Sequence, residues 1–338
     1  MHAAVIGRYG DPGVLEYREW PEPQAEPGKC LVRVKAIGIN FADLLQRMGL
    51  YPGTPKPPFI PGFEVAGEVE RAPENCGFKS GDRVVAMTRF NGYAEVAACP
   101  VAAMFPLPAR MTFEEAAAIP VNYLTAYHAM FEMGNLREGD RILIHGAAGG
   151  VGVAATQLAK ARKLEVFGTA GAGKQEFLRE SGVDHPIDST KEDFVSVVRR
   201  IAPGGIEMVM DPIGGKSFRK SYRCLGPMGR LVVYGFSTAA NAAGKRNLLK
   251  GGLAMLQTPS FKPLELMSKN IAVIGVHLGR LEAKQGVIRR EMGAIFEMYE
   301  AGKIKPLVGK TFPLQQAAEA HRYIHARKNI GKVVLTVK

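Results

Sequence analysis

One stretch of this 338-residue sequence constrains the fold more than any other. A short apolar strand is predicted at Arg141–His145 and a helix from about 151 to 162, and the turn between them carries glycines at G-x-x-G-x-x-G spacing: Gly146, Gly149 and Gly152. Such a turn brings backbone N–H groups and a helix N-terminus to one point that no Cβ obstructs. The stretch therefore predicts a pyrophosphate-binding turn, and a tight turn without a ligand is the alternative.

After this turn, predicted strands and helices alternate. Strands are expected at 164–168, 206–210, 230–234 and 271–276, and helices at 174–180, 194–201 and 217–224. This alternation is typical of a parallel sheet. Right-handed crossovers then give a doubly wound fold of the α/β class, which binds ligands at the carboxyl ends of its strands.

The first hundred residues carry strand signals instead. Residues 30–37 alternate, so that Val32 and Val34 are predicted to face a core while Arg33 and Lys35 face solvent. Further strands are predicted at 3–6, 63–69 and 83–87 between proline and glycine turns, and a short helix at 41–48 ends at Gly49. We expect a compact antiparallel barrel with one or two helical insertions.

The length allows two domains. Helices predicted at 112–118, with a capping box from Thr112 to Glu115, and at 122–133 place the boundary at about 120–125. Two more helices and a closing strand at 333–337 follow residue 277 and are expected to return to the first domain. The predicted division is 1–122, 123–276 and 277–338, with a discontinuous first domain.

Composition narrows the class of protein. Hydrophobic residues make up 46% of the sequence and charged residues 22%, as in an ordinary globular protein. The four cysteines are scattered, which argues against a disulfide framework or a cysteine-built zinc site and suits a reducing compartment: Cys30, Cys76, Cys99 and Cys224. Because neither a secretory signal nor a membrane-spanning apolar run is recognised, a cytoplasmic location is predicted.

The formal net charge of +12 favours anionic partners, namely a phosphorylated cofactor, a membrane surface or nucleic acid. No RNP, zinc-finger or basic-zipper pattern supports nucleic acid, which is therefore the less favoured partner. Residues 236–269 are partly amphipathic and are compatible with a lid, a membrane-touching segment or, as we favour, a packed excursion. The apolar residues behind this interpretation are Leu248, Leu249, Leu253, Met255 and Leu256.

The choice of nucleotide is made where the second strand of the sheet ends. The residues there run Gly168-Thr-Ala-Gly171 and include no acid to bind ribose hydroxyls, while Glu165 lies at the wrong end of the strand. Lys174 follows and is available to pair with a 2′-phosphate. We therefore predict NADP(H); the alternative is that Lys174 is an ordinary surface lysine.

Several motifs add to the glycine turn: Gly38-Ile-Asn40-Phe-Ala-Asp43, Arg47-Met-Gly49-Leu-Tyr51-Pro52 and Pro61-Gly62-Phe-Glu64-Val-Ala-Gly67. With them, essentially the whole chain resembles the medium-chain dehydrogenase/reductase family, in its zinc-free quinone oxidoreductase (zeta-crystallin-like) branch. The motifs Val209-Met-Asp211-Pro-Ile-Gly214-Gly215, His277-Leu-Gly279 and Asn329-Ile-Gly331-Lys332 are most similar to the vesicle amine transport protein subgroup. The resemblance implies a Rossmann domain, a GroES-like barrel and a homodimer.

The resemblance also implies that no metal is bound. Where zinc-dependent relatives place a Cys, a His and a Cys, this sequence has Asn40, Phe63 and Val121, which cannot replace thiolate or imidazole ligands. A bound carbonyl is then polarised by hydrogen-bond donors, for which the resemblance implies Asn40 and Tyr51. Alternatively, Asn40 is a helix cap and Tyr51 a packed aromatic residue.

By resemblance, the phosphates are expected at Gly149, Gly150, Val151 and Gly152, the 2′-phosphate at Lys174 and Arg327, and the adenosine at Ser189. The expected nicotinamide end comprises Thr125, Tyr234, Gly235, Phe236, Val276, His277 and Leu278. Gly171 and Gly214 complete the predicted cofactor site.

The sequence is compatible with three functions. The first is an NADPH-dependent oxidoreductase that transfers a hydride to a small hydrophobic quinone or to an α,β-unsaturated carbonyl (an enone), with a proton from Tyr51 or water. The second is an enoyl-thioester reductase. The third is a protein that binds NADPH but acts mainly through membrane, lipid or RNA association, which the basic charge and residues 236–269 support.

Overall fold

The computed structural model describes residues 1–239, 252 and 255–338. Its first part contains one short two-stranded sheet and most of a seven-stranded sheet. The strands are β1 (His2–Ile6), β2 (Leu15–Glu19), β3 (Lys29–Ile39), β4 (Glu64–Arg71), β5 (Arg83–Met87), β6 (Val96–Pro100) and β7 (Met104–Pro106). The helices are α1 (Phe41–Arg47), α2 (Phe113–Ala116) and α3 (Pro120–Tyr127), and a π-turn (His128–Glu132) continues α3.

The long strand β3 organises the barrel because it pairs with three others. β4, β6 and the last strand of the chain, β15 (Lys332–Thr336), all run antiparallel to it. The predicted antiparallel barrel needs one correction: β15 pairs in parallel with β14 (Val308–Pro313), which sequence reasoning missed. Since β14 and β15 belong to this sheet, the chain does return to its first part, as predicted, although the domain boundaries stay a prediction.

The second sheet has six parallel strands in the order β10-β9-β8-β11-β12-β13. These are β8 (Arg141–His145), β9 (Glu165–Ala170), β10 (His185–Asp188), β11 (Ile206–Asp211), β12 (Leu225–Val233) and β13 (Ala272–Gly275). The order reverses beside β8, as in a doubly wound dinucleotide-binding sheet, which confirms the predicted fold class. The helices are α4 (Gly150–Ala161), α5 (Gln175–Glu180), α6 (Phe194–Ile201), α7 (Lys216–Arg223) and α8 (Pro263–Lys269).

The two sheets share a hydrophobic core. Buried residues of the barrel, such as Val85 and Phe105, belong to the same packed cluster as Ile142 and Ile144 of β8. α3 lies between the sheets and packs against α4 and against α9 (Gln285–Glu300). The last helix, α10 (Ala317–His325), covers the barrel and packs against β14 and β15. This shared core fixes the junction at which the candidate site forms.

The segment predicted as a packed excursion is packed only in part. Phe261 and Leu266 contact the core of the parallel sheet, but the Leu264 and Met267 side chains of α8 are 75% and 73% exposed. Met255 and Leu256 are exposed as well, and Leu248, Leu249 and Leu253 lie outside the described residues. In the part of the chain that the structure describes, no helix has the length and apolar character needed to cross a bilayer.

The cysteines are less scattered than the sequence indicates. The Sγ atoms of Cys30 and Cys76 lie 4.0 Å apart, and Cys30 stands opposite Cys99 in the register of β3 and β6. All four thiols are free. Sequence spacing hid this grouping because Cys99 reaches Cys30 through the pairing of β6 with β3, and Cys76 reaches it from the loop between β4 and β5.

Candidate functional site

The glycine turn has the predicted strand, turn and helix. Gly146 has a φ of +66°, which glycine adopts without strain, and α4 begins at Gly150. A Cβ on Gly152 would lie 2.3 Å from the Gly146 carbonyl oxygen, and one on Gly150 would lie 2.4 Å from Nδ2 of Asn122. The turn therefore closes tightly, and Asn122 of α3, which sequence reasoning missed, packs against its helical side.

A buried polar network holds the strand that precedes the turn. His145 is hydrogen-bonded through Nδ1 to the Thr169 hydroxyl and through Nε2 to the Ser221 hydroxyl, at 3.0 Å each. The Ser221 hydroxyl donates to Asp211 at 2.7 Å. Burial lowers the pKa of His145 although Asp211 lies nearby, so the ring is neutral at pH 7. These side chains are inaccessible to a substrate and position the carboxyl ends of β8, β9 and β11.

Lys174 and Arg327 come together although 153 positions separate them in sequence. The Lys174 ammonium donates to the backbone carbonyl of Asn329 at 2.5 Å. Partial burial lowers the Lys174 pKa, and the charge of Arg327 lowers it further. Two neighbouring cations repel each other, so an anion bound between Lys174 and Arg327 would be stabilising.

Tyr51 and His277 meet where the barrel faces the parallel sheet. Their side chains are hydrogen-bonded, with 3.3 Å between the Tyr51 hydroxyl and Nε2 of His277. The Tyr51 ring packs edge-on against Phe63 with ring centroids 5.2 Å apart. Burial raises the pKa of Tyr51, so its hydroxyl keeps its proton at neutral pH. The structure thus brings together two residues that the sequence assigned separately, one to the catalytic part and one to the nicotinamide end.

Asn40 is the N-cap residue of α1 and forms a capping box with Asp43, whose carboxyl accepts from the backbone N–H of Asn40. Its Nδ2 donates to Oε1 of Glu64 at 2.7 Å and to the Gly38 carbonyl at 3.3 Å. Its Oδ1 accepts from Nζ of Lys332 at 2.7 Å, and the same ammonium lies 2.5 Å from Oε1 of Glu64. Glu64 in turn accepts from the backbone N–H of Val121 at 2.8 Å. Sequence reasoning missed Lys332, whose only signal was its place in the resemblance motif.

Asp43 lies beneath this group and receives the backbone N–H of Asn40 at 2.7 Å. Burial raises its pKa to about 8, opposed by that hydrogen bond and by the charge of Lys332. The Asp43 carboxyl is therefore mostly protonated at pH 7. A neutral Asp43 adds little negative potential beside Asn40.

The other predicted cofactor residues surround the carboxyl ends of the parallel strands. Thr125 is buried on α3, Val276 is buried after β13, and Tyr234, whose pKa burial raises, follows β12. Gly214 has a φ of +89°, and a Cβ there would lie 2.3 Å from the Phe236 ring. Ser189 follows β10 and is exposed. Gly171, Gly235 and Leu278 follow β9, β12 and β13, respectively.

The positions that correspond to zinc ligands do not fit a metal ion. Asn40 uses its amide nitrogen as a donor, Phe63 packs against Tyr51, and only the backbone of Val121 takes part in a hydrogen bond. Within the described part of the chain, no three His, Cys, Asp or Glu side chains are grouped as a metal site would require. Zinc independence stays a prediction.

Comparison with known proteins identifies the family. Residues 26–126 match the alcohol dehydrogenase GroES-like domain and residues 181–335 match the zinc-binding dehydrogenase family. The synaptic vesicle membrane protein VAT-1 homolog of Danio rerio is 43% identical over 342 residues, which cover 99% of this chain and 70% of the relative. The chain belongs to the medium-chain dehydrogenase/reductase family. Human quinone oxidoreductase is 30% identical and is matched over 99% of this chain and 97% of its own length.

Solved structures give the same assignment. The human VAT-1 homolog-like protein superposes with a TM-score of 0.87 at 35% identity, over 100% of this chain and 98% of that chain. Escherichia coli quinone oxidoreductase complexed with NADPH gives 0.87 at 28% identity, over 99% and 100%. CurK enoyl reductase gives 0.85 at 26%, over 100% and 99%. This medium-chain dehydrogenase/reductase is therefore an oxidoreductase close to VAT-1 homologues and quinone oxidoreductases.

Proposed function

We propose that this protein is a zinc-independent, NADPH-dependent reductase that transfers a hydride to a quinone or to the β-carbon of an α,β-unsaturated carbonyl. The observation that carries the proposal is the protonated Tyr51 hydroxyl beside His277, where the barrel meets the sheet that begins with the glycine turn. A family member without a fitting metal site needs such a donor to stabilise charge on the acceptor oxygen. The quinone oxidoreductase relatives support the acceptor class.

The residues present fit a dinucleotide with a 2′-phosphate. The glycine turn and the N-terminus of α4 offer backbone N–H groups to a pyrophosphate. Lys174 follows β9 and lies near Arg327. These two cations repel each other and suit the additional phosphate of NADPH. We assign the phosphates to Gly149, Gly150, Val151 and Gly152, the adenosine side to Gly171 and Ser189, and the nicotinamide side to Thr125, Gly214, Tyr234, Gly235, Phe236, Val276, His277 and Leu278.

When bound, NADPH supplies the hydride. Tyr51 donates its hydroxyl hydrogen to the acceptor oxygen and supplies the proton there, directly or with water. Asn40 can exchange its long 3.3 Å hydrogen bond to Gly38 for one to the same oxygen, since its other donor is engaged by Glu64. Neutral Asp43 keeps negative charge away from this oxygen.

The second candidate is an enoyl-thioester reductase, which the likeness to CurK enoyl reductase supports. It uses the same residues and differs in the acceptor. A third candidate binds NADPH but acts at membranes. The exposed Leu264 and Met267 side chains of α8, the basic net charge and the names of the VAT-1 relatives support it.

A screen of NADPH oxidation at 340 nm against quinones, alkenals and enoyl-thioesters tests the proposal. We expect turnover with quinones or alkenals to exceed that with enoyl-thioesters. A clear preference for enoyl-thioesters would replace the first candidate with the second. Binding to anionic liposomes without turnover of any acceptor would favour the third.

A further inference from the structure

Lys332 is a buried lysine in the middle of the candidate site. Lys332 is only 2% exposed. Its ammonium lies 2.5 Å from Oε1 of Glu64 and 2.7 Å from Oδ1 of Asn40. A buried ammonium is costly unless it is paired, and replacing a buried ion pair by apolar residues is often neutral or stabilising. Stability alone therefore gives little reason for this pair at the junction of the two sheets.

The contacts of Lys332 determine which way the Asn40 amide faces. An ammonium is only a donor and a carboxylate is only an acceptor, so Oδ1 must face Lys332 and Nδ2 must face Glu64. Without Lys332, only Glu64 and the Gly38 carbonyl restrain the amide, and its oxygen is no longer held away from an acceptor carbonyl, where it would repel the developing negative charge.

We propose that Lys332 is a positioning residue that holds the Asn40 amide so that one N–H of Nδ2 stays on Glu64 and the other is available to the substrate oxygen. This inference rests on the proposed function and extends it to a residue that does not itself touch the reacting atoms.

The backbone before Lys332 ties this residue to the glycine turn. The Gly331 N–H donates to the carbonyl of Ala148 at 2.9 Å, and Gly331 forms a β-bridge with Gly149. Gly331 has a φ of +67°, and a Cβ there would lie 2.5 Å from the Leu307 carbonyl oxygen, so only glycine allows this close approach. Two residues earlier, the Asn329 carbonyl accepts from Lys174. The chain that places Lys332 thus contacts both predicted phosphate-binding regions.

A double-mutant cycle tests whether Lys332 acts through Asn40. We expect Lys332→Met and Asn40→Ala each to lower kcat by about 10- to 100-fold, as for a misplaced catalytic group, and the double variant to lose no more than the larger single loss. The exposed lysine of β14 provides the control Lys310→Met, which should leave kcat unchanged. Additive losses in the cycle would overturn the proposal.

A second readout does not depend on turnover. In wild type the Asn40 side-chain N–H protons, identified in NMR spectra by their absence in Asn40→Ala, should exchange slowly with water, whereas in Lys332→Met they should exchange at least tenfold faster. If Lys332→Met does not fold, Glu64→Gln/Lys332→Met removes the unpaired carboxylate and carries the same expectation. Unchanged exchange in the folded variant would overturn the positioning role. A wild type that reduces no acceptor would overturn the proposed function instead, and the exchange measurement would still decide the role of Lys332.

Discussion

At the scale of single residues, the Tyr51 hydroxyl and the Lys174 ammonium mark the two ends of the proposed cofactor path. Each has a contact that explains its assignment: Tyr51 meets His277 across the junction, and Lys174 lies near Arg327. Each contact also allows a purely structural role, since Tyr51 packs against Phe63 and Lys174 donates to Asn329. Substitutions that remove one polar group and little packing separate the two roles.

Tyr51→Phe removes one hydroxyl and keeps the ring. If this hydroxyl stabilises charge on the acceptor oxygen, kcat should fall by roughly 10²-fold or more. Because burial raises the Tyr51 pKa above its ordinary value of 10, the loss should not vary between pH 6 and 9. Tyr17→Phe, which removes a hydroxyl bonded to Glu95 instead, is the matched control. An unchanged kcat would make Tyr51 a packing residue and leave water as the proton source.

Lys174→Ala removes one of the two cations proposed to bind the 2′-phosphate. A charge-assisted hydrogen bond contributes about 1.5–3 kcal/mol. The ratio of NADPH affinity to NADH affinity should therefore fall by about 10- to 100-fold in Lys174→Ala. The fall should lie near the low end of this range if Arg327 also binds the phosphate. Fluorescence titration of both cofactors measures this ratio. Lys163→Ala, which removes an exposed lysine paired with Glu138, should leave it unchanged. Equal losses for both cofactors would show that Lys174 serves the fold instead.

Asp43→Asn tests the buried acid. The folded-state pKa of about 8 exceeds the value of about 3.9 for an unfolded chain, so the folded protein holds a proton that the unfolded chain releases. Protonation of Asp43 therefore contributes to the free energy of unfolding fully below about pH 4, and this contribution is lost as the pH rises through 8. Groups around the carboxyl include Asn40, Lys332, Glu64 and Tyr93. The urea midpoint of Asp43→Asn minus that of wild type should therefore increase from pH 5 to pH 9. A difference that stays constant over this range would contradict the raised pKa of Asp43.

At the scale of secondary-structure elements, the sequence predicts what local patterns determine. The strand Arg141–His145, the glycine turn and α4 were predictable because a few adjacent residues specify them. Asn40 was correctly located before α1, but its partner Lys332 lies 292 positions away, and no local pattern records that contact. The parallel pairing of β14 with β15 was missed for the same reason. Asn122 was missed because its close contact with Gly150 depends on how α3 packs against the glycine turn.

The outer strand β13 supports one prediction at this scale. Among the described residues, it pairs with β12 on one side and forms the edge of the six-stranded sheet on the other, and a partly apolar edge is a liability unless it is covered. We expect two copies to pair there about a two-fold axis, so that light scattering gives twice the 36.6 kDa chain mass at micromolar concentration. Ala272→Glu should weaken this dimer and the exposed-site control Ala109→Glu should not. A monomer mass for wild type would contradict the pairing.

At the scale of the whole molecule, one shared core holds the barrel and the parallel sheet in a fixed relation. This relation places a hydroxyl and an amide from the barrel beside the carboxyl ends of the parallel strands, where dinucleotides bind in doubly wound folds. Residues 327–332 connect the two parts by contacting Lys174, the glycine turn and Asn40 in turn. The proposed hydride transfer depends on this arrangement rather than on a metal ion.

Following the hydride itself tests the proposed transfer. The wild-type protein is incubated with NADPH deuterated at both C4 positions and an alkenal, and the product is analysed by mass spectrometry and NMR. We predict one deuterium at the β-carbon of the product, and much slower transfer from equally labelled NADH. If NADPH binds but delivers no deuterium to any enone or enoyl-thioester, and no quinone is reduced, the proposed hydride transfer is wrong and the membrane-acting alternative is favoured.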